Sequence, residues 1–229
     1  METPKLKRPI LTTTDITLSA ALAAVFIVST FFPVDAFIGG AGIITFEIIL
    51  VPVIAFTLRP VLAAVTISIG SVGMALFQGG IIPAFGILGI LVPVVATILG
   101  SIAFHYRYGP ILPWAYVLAG AIYYLGYSKS GTTFWLIPYI IVIISLPVAL
   151  SLKGDRSVAL LAFYTAMAEQ VTLNILSIGV VGLVDGIWTI ITPFMILERT
   201  IATVGSYILI VGLKRGLETR LPTQEYVRR

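Results

Sequence analysis

The chain contains no cysteine and only one histidine. The first absence excludes disulfides, thiolate nucleophiles and thiolate metal sites. The second excludes a histidine-based metal centre, because His105 has no second imidazole to join it. Charge is scarce as well. Only 10% of the 229 residues are charged, against 59% hydrophobic, and the mean hydropathy is +1.08. Soluble domains carry roughly 25% charged residues, so there is little room for one here. Motifs are missing too. There is no G-x-x-x-x-G-K-[ST] to cradle ATP, no H-E-x-x-H and no G-x-S-x-G. No ladder of arginines suggests a voltage sensor, and no inverted repeat is evident.

What is present is a series of apolar segments near the length of about 20 residues that crosses a bilayer. They run over residues 16–33, 43–58, 61–78, 83–104, 111–127, 133–151, 158–181 and 188–213. The first follows a basic stretch, Met1–Arg8. It is full-length and lacks a small-x-small cleavage site, so it reads as a span rather than a signal peptide. The turns are marked by Phe32-Pro33, Arg59-Pro60, Gly79-Gly80, Lys129-Ser130-Gly131, Lys153-Gly154-Asp155-Arg156 and Asp185-Gly186. The segments at 111–127 and 133–151 are shorter and interrupted by proline. If they do not cross, six spans remain.

Charge orients this pattern. Lys5, Lys7, Arg8, Arg59, Arg107, Lys153, Arg156, Lys214, Arg215 and the tail arginines fall on one side of an eight-span arrangement. The other side has only Lys129, with Asp35 and Asp185. A positive-inside distribution of this kind places both termini in the cytoplasm. The expected fold is therefore an all-α, polytopic membrane bundle of six to eight transmembrane helices. It forms one domain over residues 1–229, with cytoplasmic stretches at 1–15 and 214–229. The net charge of +4 sits mostly at the two ends, which fits orientation and not nucleic-acid binding.

Of 14 basic and 10 acidic residues, only Glu47, Glu169, Glu198 and Arg199 fall inside the spans. A charge in hydrocarbon costs at least a few kcal/mol, so a chain that keeps one has a partner or a task for it. Glu47 lies about one turn from the outer end of its segment. Glu169 is about 11 residues in from the cytoplasmic end, roughly 16 Å at 1.5 Å per residue. Glu198 and Arg199 are at a similar depth from the other side. Gln170 and Asn174 share a helix face at i, i+4 spacing, and Gln78 closes the third segment on the outer side. One arginine can pair with one glutamate as a structural element. The other two carboxyls must then carry protons or face a water-filled pocket. Trp114, Trp135 and Trp188 lie near span ends, as aromatic belts do, although Trp135 and Trp188 could also wall an outer pocket. These positions predict a site built from Glu47, Gln78, Glu169, Gln170, Asn174, Trp188, Glu198 and Arg199. Three acids against one base favour a cationic or amine-bearing ligand, such as a thiamine-like vitamin. No metal and no cofactor is expected. An ion-coupled transporter cycling a proton on a glutamate, an intramembrane enzyme using an acid–base pair, and an assembly subunit without a ligand are the alternatives.

Some of these residues resemble a known family. The short basic N-terminus, the Ala-x-x-x-Ala face of the first segment (Ala20, Ala24), the Leu58-Arg59-Pro60 turn followed by Ala63-Ala64, and the stretch Pro193-Phe194-Met195-Ile196-Leu197-Glu198-Arg199 resemble the substrate-binding S components of energy-coupling factor (ECF) transporters. The resemblance implies a small helical bundle that binds a micronutrient from outside. It also implies a membrane coupling protein and two ABC ATPases that supply the energy, which matches the absent P-loop. In that family Ala20 and Ala24 would meet the coupling protein, as small-xxx-small faces allow close helix contact. The family has six spans, against the eight counted here.

Overall fold

The structure is a computed structural model and describes residues 12–36, 43–77, 79–128, 133–183 and 186–218. Eight helices occupy the eight apolar segments: α1 Thr13–Ser29, α2 Glu47–Thr57, α3 Pro60–Leu76, α4 Ile82–His105, α5 Ile111–Tyr127, α6 Phe134–Ser151, α7 Asp155–Val181 and α8 Ile187–Glu218. Of these, α4, α6, α7 and α8 are long and apolar enough to cross a membrane. The fold is all-α, apart from a short antiparallel pair between β1 (Pro33–Ala36) and β2 (Ile43–Thr45).

Local chemistry sets the helix ends. Thr12 and Asp15 close a capping box on α1: the Asp15 N–H donates to Thr12 Oγ1 at 3.2 Å, and the Thr12 N–H donates to Asp15 Oδ2 at 3.0 Å. Pro60 opens α3 at a position where its missing N–H costs nothing. The final turn of α7 widens into a π-helix over Ser177–Val181 and stops at Gly182, which adopts the left-handed conformation (φ 68°).

Two helices organise the bundle. Helix α7 packs against α2, α4, α5, α6 and α8, and all but one of its residues from 164 to 178 are buried. Glycines let its neighbours come close. A Cβ on Gly100 of α4 would lie 2.4 Å from Thr165, and one on Gly120 of α5 would lie 2.6 Å from Val171. Helix α2 is the second hub. It is apolar on every face, and accordingly every residue from Glu47 to Ala55 except Ile49 is buried.

Helices α5 and α6 are built into this core. Trp114 Nε1 donates to the Ile143 carbonyl at 2.9 Å, and Tyr164 of α7 donates to the Val142 carbonyl at 3.0 Å. Their side chains Val117, Tyr124, Trp135 and Tyr139 share one apolar cluster with Met167, Val171 and Trp188. A six-helix bundle formed by deleting them would strip one side of α7.

The two ends of the bundle differ. At one end Ser101 Oγ donates to the Leu58 carbonyl at 2.6 Å, Phe56 meets Phe104 edge-on at 5.4 Å, and Lys214 pairs with Asp155 at 2.7 Å. Arg59, Arg107, Lys153, Arg156, Lys214 and Arg215 all belong to this end. At the other end the Ile43 N–H donates to the Gly80 carbonyl at 3.0 Å, and the Tyr127 hydroxyl donates to the Leu183 carbonyl. Among the described residues, the basic side chains outside the bundle interior thus gather at one end; Lys5, Lys7, Arg8, Lys129, Asp185 and the tail arginines lie outside the described residues.

Candidate functional site

Helices α2, α7 and α8 bring the four interior charges together. Glu47 is 5% exposed, Glu169 4%, Glu198 6% and Arg199 2%. Arg199 Nη1 donates to Glu169 Oε2 at 2.9 Å and to the Ala166 carbonyl, also at 2.9 Å. Its Nη2 lies 3.4 Å from Glu198 Oε2. One guanidinium therefore serves two carboxylates and a main-chain oxygen, with Glu169 as the nearer partner. The sequence had left that choice open. Glu198 and Arg199 are adjacent, so α8 supplies a charge and its countercharge together. Glu169 reaches across from α7.

Glu47 stands apart from this pairing. It is the first residue of α2, not an interior position one turn down as the segment 43–58 had suggested. The helix starts later than expected because residues 43–45 pair as β2. The charges of Glu169, Arg199 and Glu198 all act on it. Its Oε2 is buried without a hydrogen-bond partner, as is Arg199 Nε. Three carboxyls and one guanidinium thus occupy a closed interior. The expectation of a pocket open to the outside is not met at these residues. An open apolar cleft of about 500 Å³, bounded by Ile102, Tyr106 and Leu112, lies at the basic end and has no carboxylate in its lining.

A second polar group sits further along α7, toward the other end. Asn174 is held between α6 and Gln170. An indole can only donate, so the Asn174 oxygen must face Trp135 Nε1, at 3.0 Å; it also accepts from the Tyr139 hydroxyl. The Asn174 nitrogen is then 2.8 Å from the Gln170 side chain and 3.3 Å from the Gln170 carbonyl. Around this group three rings interlock. Trp135 meets Trp188 at 4.8 Å, Tyr124 meets Trp188 at 5.4 Å, and Tyr124 meets Trp135 at 6.3 Å. Trp188 is fully buried, with its Nε1 unpartnered. It is a core ring and not part of an interfacial belt.

The predicted site residues therefore fall into two adjoining clusters. Glu47, Glu169, Glu198 and Arg199 form one. Gln170, Asn174 and Trp188 join Trp135 and Tyr139 in the other. Gln78 lies outside the described residues. Tyr124 and Tyr139 were missed by sequence reasoning, yet Trp135 and Tyr139 stand at i, i+4 spacing, a signal that could have found them. Ala20 and Ala24 are exposed on α1. Ala23 and Phe26 turn inward, and Phe26 packs where a Cβ on Gly70 of α3 would lie 2.8 Å away. Among the described residues no group of three His, Cys, Asp or Glu side chains could hold a metal ion. Comparison with profiles of known protein families, with curated proteins and with solved structures finds no match.

Proposed function

We propose that the chain is a multi-pass capture subunit of the cell membrane, with both termini in the cytoplasm. It would take up a small vitamin-like solute carrying an amine or other cationic group from outside. In this reading a separate membrane coupling protein and ABC ATPases supply the energy, as the resemblance to S components implies. The observation that carries the reading is the imbalance of interior charge: three carboxyls gather around one guanidinium, and Glu47 is left outside the ion pairs. A cationic solute would reduce that imbalance. The neighbouring rings Trp135, Trp188 and Tyr124 form a buried apolar cluster beside these charges, their planes inclined to one another by 37° to 80°. The exposed Ala20 and Ala24 suit close approach by a partner helix.

Native mass spectrometry on protein extracted gently from its own membranes tests this. The expected result is a small bound adduct together with ATPase-bearing partners. A bare chain with neither would overturn the proposal. Replacing Ala20 and Ala24 with leucine should release the partners while the adduct stays.

One observation favours a second reading. A buried carboxyl outside the ion pairs, Glu47, is also what a proton-cycling transporter would use. Uptake into liposomes by the purified chain alone, driven by a proton or sodium gradient, would establish that alternative.

A further inference from the structure

The turn between α4 and α5 is held in one shape. The Tyr106 N–H donates to the Ile102 carbonyl at 3.1 Å, the Gly109 N–H to the Tyr106 carbonyl at 3.0 Å, and the Leu112 N–H to the Gly109 carbonyl at 3.1 Å. The chain passes so close to α4 that a Cβ on Gly109 would lie 1.9 Å from the Ile102 carbonyl oxygen. This turn borders the open cleft of about 500 Å³ at the basic end. Ile102, Ile111 and Leu112 form its apolar wall, and Tyr106, Arg107 and Tyr108 supply its polar side chains. Arg107 is exposed, and among the described residues its guanidinium makes no ion pair and no hydrogen bond. Its contact is the face of Tyr108, with Cζ 5.4 Å from the ring centroid. A guanidinium stacked in this way keeps the N–H donors of its own plane free. No acidic residue occurs between Glu47 and Asp155, so nothing on α3, α4, α5 or α6 can neutralise Arg107. Asp155, at the same end, is already held by Lys214 at 2.7 Å.

We propose that this cleft seats an anionic phospholipid of the leaflet at the basic end, its phosphate against Arg107 and its glycerol and first acyl methylenes against Ile102, Ile111 and Leu112. The inference does not depend on the capture reading. Arginine suits a phosphate, because its planar fork can give two parallel N–H···O bonds. The lining argues against other occupants. A free anion would leave the apolar wall uncovered. An uncharged lipid would leave Arg107 without a counter-ion. A zwitterionic headgroup brings an ammonium or a choline as well, and the lining holds no carboxylate to receive it. Position agrees with the assignment: tyrosine and arginine at the end of an apolar helix lie at headgroup depth, where basic pockets between helices bind anionic lipids. The helix ends at the turn add little. The C-terminus of α4 is worth roughly half a negative charge and the N-terminus of α5 roughly half a positive one, so they offset each other. The full charge of Arg107 decides the sign.

Native mass spectrometry of the purified, delipidated full-length chain in detergent tests the site. The probes are dioleoyl phosphatidylglycerol and dioleoyl phosphatidylcholine at matched concentrations. The first phosphatidylglycerol should bind about tenfold tighter or more than the first phosphatidylcholine, the value of one charge-assisted hydrogen bond. Arg107→Gln should bring the two lipids close to equal by weakening phosphatidylglycerol alone. Arg107 is exposed and lies outside the helices, so the unfolding midpoint of the lipid-free variant should not move. Arg156→Gln removes another exposed positive charge from the same end but outside the lining, and the preference should survive it. Leu112→Ser, at an exposed position of the apolar wall, should weaken both lipids together. Glycerol 3-phosphate, a headgroup without chains, should not displace bound phosphatidylglycerol even in large excess. Equal binding of the two lipids by the wild type would overturn the assignment, as would an unchanged preference in Arg107→Gln or unchanged binding in Leu112→Ser. An equal loss in Arg156→Gln would reduce the effect to the diffuse charge of this end, and the cleft would lose its role. Displacement by glycerol 3-phosphate would make the site one for soluble phosphates and overturn the lipid as its occupant.

Discussion

Helices α7 and α8 are joined by two ion pairs, one inside the bundle and one at its rim. Glu169 meets Arg199 at 2.9 Å with side chains 5% and 3% exposed. Asp155 meets Lys214 at 2.7 Å with side chains 44% and 24% exposed. The two pairs are 14 residues apart along α7 and 15 along α8, roughly 21–22 Å at 1.5 Å per residue. The shorter contact is the weaker tie. At the rim, water already solvates both ions, so pairing adds little. Inside, each ion has lost its hydration at a cost of several kcal/mol, and only the partner offsets it. Distance alone therefore ranks these contacts the wrong way, and burial ranks them correctly. The interior pair also has a third carboxyl, Glu47, beside it.

The largest expected effect comes from breaking the interior pair on one side. Arg199→Leu leaves three buried carboxyls without a cation and should cost about 3–5 kcal/mol, read as a drop in unfolding midpoint or as lost expression. Adding Glu169→Leu should recover part of that loss, since removing both ions avoids a stranded charge. A double variant no better than the single one would mean the pair does not act as a unit. Next in size is the amide group beyond it. Asn174→Leu leaves the Trp135 indole and Tyr139 hydroxyl without their shared acceptor and should cost about 1–3 kcal/mol. A value near that of Arg199→Leu would erase the distinction between charged and neutral clusters. Smallest is the rim. Lys214→Ala should cost at most about 1 kcal/mol, and 1 M salt should reduce even that, because the Debye length falls to about 3 Å. The Arg199→Leu penalty should survive the same salt.

Much of the architecture was legible in the sequence. Eight apolar segments became eight helices, and the described arginines and lysines outside the interior gather at one end of the bundle. Hydrophobicity sufficed because the signal is long and nearly unbroken. It failed where an apolar run hides a change of backbone. Residues 43–45 are as apolar as the helix that follows, so no periodicity announces that Ile43, Ile44 and Thr45 pair with β1, or that α2 begins at Glu47. The site was half legible. Each interior charge stood out against its surroundings, but the partner of Arg199 is a tertiary fact: Glu169 is 30 positions away and reaches it only because α7 packs on α8. Asn174 and Gln170 were visible as a pair. Their contact with Tyr139 was not, because proline made the segment 133–151 look expendable.

The length of α2 has a consequence for how the chain enters a bilayer. Eleven residues rise only about 16 Å, about half the hydrocarbon thickness of roughly 30 Å. A cellular insertion machine that samples one segment at a time would find too little here to hold. Arg59 and Pro60 join α2 to α3 without a loop, so the two are expected to insert as a hairpin. The polar first turn at Glu47 would then be carried inward by α3 and sealed only when α7 and α8, synthesised more than a hundred residues later, arrive to cover it. Nascent chains halted before α7 should accordingly leave Glu47 open to water-soluble reagents that the finished protein shuts out.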